Sequence, residues 1–158
     1  MRTKSKALDA AGKFGGAIGK GLMAGLAGTA AITASQMIEM KITHRPPSKV
    51  PANVAEKTLH IRPGKGGNKQ MLSQEIHWAY GTIWGMARGL LSVLGVKRWA
   101  ATTAHFVAIT GTAMVAIPKI ENAAPVTEWE KKDILKDLLH HAVYAVAAGL
   151  VYDALMND

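Results

Sequence analysis

Four stretches of this chain are almost free of charge, and each is long enough to be a helix. Gly21–Ile38 and Trp99–Pro118 contain no Lys, Arg, Asp or Glu. Leu138–Tyr152 contains none either, and Ile76–Val96 is broken only by Arg88. Such lengths approach the ~20 residues a helix needs to cross a bilayer. The stretches are rich in Gly, Ala and Thr rather than Leu and Ile, so each is a weakly apolar span. Composition alone also permits a soluble Ala-rich bundle. The spacing of the charge gaps favours the membrane.

Two short patterns recur in these stretches. Gly28-Thr29-Ala30 in the first returns as Gly111-Thr112-Ala113 in the third, and His77-x-x-Tyr80-x4-Gly85 in the second returns as His141-x-x-Tyr144-x4-Gly149 in the fourth. The order A-B-A′-B′ implies a duplicated two-helix unit. The expected fold is therefore all-α, a four-helix transmembrane bundle built from two duplicated helical hairpins. The single membrane domain, residues 1–158, divides into a basic N-terminal lead-in at 1–17, helix 1 at 18–40 and a Pro/Gly-rich basic loop at 41–72. Helix 2 follows at 73–95, helix 3 at 99–117, a loop at 119–130 and helix 4 at 131–156. Arg45-Pro46-Pro47-Ser48 and Pro51 should end helix 1, and Pro118 helix 3, because proline lacks a donor and disfavours helix in the residue before it. Val54–Leu59 allows a short interfacial helix. Trp78, Trp99 and Trp129 fall near expected helix ends, where aromatic belts lie.

The net charge of +8 is concentrated in two places. Arg2, Lys4, Lys6, Lys13 and Lys20 stand against Asp9 at the start, and seven basic residues stand against Glu56 and Glu75 in residues 41–75. Such segments suit the anionic headgroups of membrane lipids. They lack the interleaved aromatics and motifs of a nucleic-acid binder, so no nucleic acid is expected as a partner. The basic start is long for a signal peptide, so a cleaved signal is not the expected reading. The absence of cysteine excludes disulfide and thiol chemistry.

Small residues four apart let helices approach closely in lipid. Gly21, Gly25 and Gly28 in helix 1, Gly81 and Gly85 in helix 2 and Gly149 in helix 4 are the expected packing positions. Arg88 would sit mid-bilayer, where a charge is costly unless it is paired or faces water. It lies 11 residues past His77, and Asp153 lies 12 past His141. The repeat thus places both at one depth, and an intramembrane Arg88–Asp153 pair is expected. By the same logic His77 and His141 share a depth, so neutral imidazoles there are candidate ligands for haem or a transition metal. His140 adds to that option. His105 enters from the opposite side and reads as a core histidine.

No Ser-His-Asp arrangement, catalytic carboxylate pair or metalloprotease helix is present. The run Gly21–Ala30, the segment Arg45-Pro46-Pro47-Ser48-Lys49-Val50-Pro51-Ala52 and the two His-x-x-Tyr-x4-Gly copies resemble the YagU-like small bacterial inner-membrane proteins. The resemblance implies a multi-pass inner-membrane protein and brings no agreed activity or catalytic residues. The function expected is non-enzymatic. The chain reads as an accessory or structural subunit of a larger membrane complex, or as a homo-oligomer packing through Gly/Ala faces, with other membrane subunits or itself as partner. The alternatives are a haem- or metal-binding protein using His77 and His141, and a small transporter or channel with Arg88 and Asp153 in a polar path.

Overall fold

A computed structural model of the chain describes the backbone of residues 2–157 and the side chains of residues 6–156. Five helices and no strand occur among them. They are α1 (Arg2–Thr43), α2 (Val50–Leu59), α3 (Lys69–Val93), α4 (Arg98–Glu121) and α5 (Lys131–Asn157). Three of them, α1, α4 and α5, are long and apolar enough to cross a membrane. The 25 residues of α3 suffice in length, but His77 and Arg88 lower its apolar character.

Several expected boundaries are corrected. The lead-in at 1–17 is not separate: helix 1 runs unbroken from Arg2 to Thr43 instead of 18–40. Extending an existing helix adds a hydrogen bond per residue without a new nucleus, which offsets the weak propensity of Gly15, Gly16 and Gly19. Arg2 and Lys4 of the basic start lie outside the residues whose side chains are described. The loop at 41–72 contains α2, which begins at Val50 with Pro51 in its first turn, a position where proline's missing donor is harmless. Helix 2 starts at Lys69 rather than 73, because Asn68 caps it by accepting a bond from the Met71 N–H at 2.9 Å.

Helix 3 does not stop before Pro118. A π-helical stretch, Thr112–Ala116, precedes the proline, with the Ile117 N–H bonded to the Thr112 carbonyl. This wider turn accommodates the absent proline donor and its ring, and the helix continues to Glu121. Asn122, at φ 53°, then ends it. The expected 119–130 loop is correspondingly shortened, and a 3₁₀ turn at Val126–Glu128 occupies part of it.

Helix α1 packs along α3 and α5. Helix α4 packs on α5 and over a shorter length on α3, while α2 rests on α3 and the last turn of α4. Asn53 and Lys57 of α2 both reach the Glu121 carboxylate, at 2.7 and 3.2 Å. The interior is lined by small side chains, with Ala24, Ala145 and Ala148 buried around Tyr144 and Tyr152. Many large apolar side chains point outward: Leu26, Ile83, Val107 and Leu150 are each at least half exposed. Small residues inside and large ones outside suit a surface solvated by lipid chains, where close helix approach rather than expulsion of apolar groups drives packing.

Candidate functional site

The tightest contact is glycine on glycine. A Cβ added at Gly21 would lie 2.5 Å from the Gly85 carbonyl oxygen, and one at Gly25 would lie 2.8 Å from Gly85 Cα. Above this crossing Gly81 meets Thr29, and below it Gly89 meets Ala17. Gly28 instead receives the ring of Tyr144, 2.8 Å from where its Cβ would be, and Gly149 receives Thr102 of α4. All six glycines singled out from spacing therefore lie where a second helix approaches.

The repeated patterns do not share surroundings. Gly28 is enclosed, whereas a Cβ at Gly111 would meet nothing within 4 Å. Tyr144 is buried and donates its hydroxyl to the Gly81 carbonyl at 2.6 Å, while Tyr80 is 43% exposed. Arg88 and Asp153 do meet, in an ion pair from Nη2 to Oδ1. The guanidinium is 1% exposed and also stacks 4.4 Å over the Tyr152 ring. The carboxylate is 34% exposed. Arg88 Nε and Nη1 are buried without a hydrogen-bond partner, as are His105 Nδ1 and the Tyr152 hydroxyl.

His105 is fully buried, and its Nε2–H donates to the Trp84 carbonyl at 3.0 Å. Its ring meets that of Tyr144 edge-on at 5.5 Å. A core position is what the sequence implies for it; the polar neighbours come from α3 and α5. The available signal was Ala101, Thr102, His105 and Ile109, whose helical spacing puts them on one buried face.

Expected histidine ligands sit at the opposite end. Thr33 spends its hydroxyl proton on the Thr29 carbonyl at 2.7 Å, so at 3.1 Å His77 Nε2–H must donate to Thr33 Oγ1. His141 Nδ1–H donates to the Asp137 carbonyl at 2.9 Å, and His140 Nδ1 pairs with Ser35 Oγ at 2.8 Å. His77 Nδ1 and His141 Nε2 thereby keep their lone pairs. Among the described residues no group of three or more His, Asp or Glu is placed to hold a metal ion.

A cleft of about 260 Å³ opens between α4 and α5, lined by Arg98, Trp99, Thr102, Gly149, Leu150 and Asp153. It leads from the surface to the exposed side of the Arg88–Asp153 pair. Family models, curated proteins and solved structures yield no match to this chain.

Proposed function

We propose that this chain is a multi-pass protein of a bacterial inner membrane, a four-helix bundle of two hairpins acting without catalysis. It serves as an accessory or structural subunit of a larger membrane complex, or as a homo-oligomer. The observation that carries this reading is the inverted distribution of side chains. Large apolar groups face outward on α1, α3, α4 and α5, while glycine, alanine and threonine fill the contacts between helices. The basic start of α1, with Lys6, Lys13 and Lys20, adds attraction to anionic headgroups. The YagU-like resemblance supports the same assignment.

The test is purification of the native protein in mild detergent, with mass spectrometry of whatever travels with it and a visible spectrum of the same sample. Stoichiometric partner subunits or a defined homo-oligomer, without a visible band, is the expected result. A Soret band or bound metal lost in His77→Ala and His141→Ala would replace this reading with the cofactor one. A second reading, a small transporter, draws support from one observation: the cleft reaches the ion pair that bridges α3 and α5. It requires ion or proton flux in vesicles that Arg88 substitution abolishes.

A further inference from the structure

The cleft beside Asp153 has charge of both signs on its walls. Arg88 occupies only Oδ1 of Asp153, so the carboxylate is held in place with its second oxygen free to accept. Arg98 supplies the opposite charge, and none of the ion pairs among the described residues involves it. Arg98 also opens α4, whose N-cap, Lys97, makes no side-chain cap bond. The first backbone N–H groups of a helix have no intrahelical partner, and they favour an anion there. The rim is apolar: Trp99 is 63% and Leu150 57% exposed.

Its volume of about 260 Å³ lies just below the usual range for drug-sized ligands. It suits a compact polar group and excludes an acyl chain, which would run outside over Trp99 and Leu150. We infer that this cleft seats the headgroup of a zwitterionic phospholipid bearing a primary ammonium, with the ammonium on Asp153 and the phosphate at Arg98 and the start of α4. Asp153 disfavours a purely anionic headgroup. The apolar rim, at the end of two candidate spans, favours a lipid over a soluble zwitterion.

The inference rests on the membrane reading proposed above. Native mass spectrometry of the full chain in detergent would count retained phosphatidylethanolamine, phosphatidylcholine and phosphatidylglycerol, each added at equal concentration. Phosphatidylethanolamine should be retained about tenfold better than the other two, the value of one charge-assisted hydrogen bond. Arg98→Gln, at the exposed start of α4, removes a phosphate partner that ethanolamine and choline lipids share, so it should lower retention of both by a similar factor without disturbing the core. Asp153→Asn should lower ethanolamine lipid to the choline level where the variant folds. Equal retention of all three lipids, or retention of phosphatidylethanolamine unchanged in Arg98→Gln, overturns the site. Retention of phosphatidylglycerol at or above phosphatidylethanolamine overturns the role of Asp153. Release of the chain from vesicles by alkaline carbonate would overturn the membrane reading together with the site, whereas the lipid comparison overturns the site alone.

Discussion

Replacing Gly85 with alanine puts one methyl group at the point where α1 and α3 cross. That Cβ would lie 2.5 Å from both Gly25 Cα and Gly25 N, and nearer still to the Gly21 carbonyl oxygen. Favourable contacts between carbon atoms lie at about 3.5–4.0 Å, so the helices must separate by about 1 Å. The obstructing atoms are backbone, and no rotamer change relieves them. Overpacking of this kind costs about 1–3 kcal/mol, and the backbone clash places Gly85 near the upper end. Alanine returns about 1 kcal/mol of helix propensity, leaving a net loss of about 2 kcal/mol. For a chain of this size that is a Tm lower by about 4–8 °C.

Gly111→Ala is the control. It is also helical, and a Cβ there would meet nothing within 4 Å, so only the propensity gain remains and Tm should rise. Thermal unfolding of both variants in the same detergent, followed by circular dichroism or size-exclusion of a fluorescent fusion, gives the comparison. The reasoning fails if Gly85→Ala is as stable as the parent, or if both variants move in the same direction.

The ion pair should respond unequally to loss of either member. Asp153→Leu strands a guanidinium that is 1% exposed, whereas Arg88→Leu leaves a carboxylate that is 34% exposed and can hydrate. Asp153→Leu should therefore cost about 3–5 kcal/mol, and Arg88→Leu clearly less. Yield of folded protein on size-exclusion measures the order, and equal losses would refute the assigned burial. Tyr144→Phe removes the bond to the Gly81 carbonyl and should cost about 1 kcal/mol, read as a small Tm decrease. Lys57→Ala should loosen α2 from the end of α4 by less than about 1 kcal/mol, since its pair with Glu121 is partly exposed. Hydrogen exchange in residues 50–59 would report that loosening, and a global loss of protection would contradict it.

Helical class and the packing glycines were legible in the sequence because both follow from local spacing. Positions four apart share a helix face whatever the helix meets, so Gly21 and Gly25 had to line one stripe, as did Gly81 and Gly85. That Arg88 and Asp153 share a level was legible from the register of the repeat, but the pair lies near the ends of α3 and α5 and not midway along them, as a mid-bilayer position would require. Helix limits were less legible. Whether Gly15 and Gly16 end a helix depends on what continues beyond them, and whether Pro118 does depends on a π turn that no composition signals. The cleft was not visible at all. Arg98 and Asp153 lie on different helices, and their common cavity depends on Gly149 admitting Thr102.

The sequence by itself determined that the chain is helical, which helix faces are small, and that one charge in α3 needs a partner. It did so because the 3.6-residue period translates spacing directly into faces. Tertiary packing alone decided that Gly28 receives the Tyr144 ring while Gly111 remains open, and that Tyr144 is buried while Tyr80 faces outward. The reason is physical: a repeated pattern specifies equivalent faces, but the α1–α3 and α4–α5 contacts bring different residues against them. Equivalent positions thus acquired unlike partners.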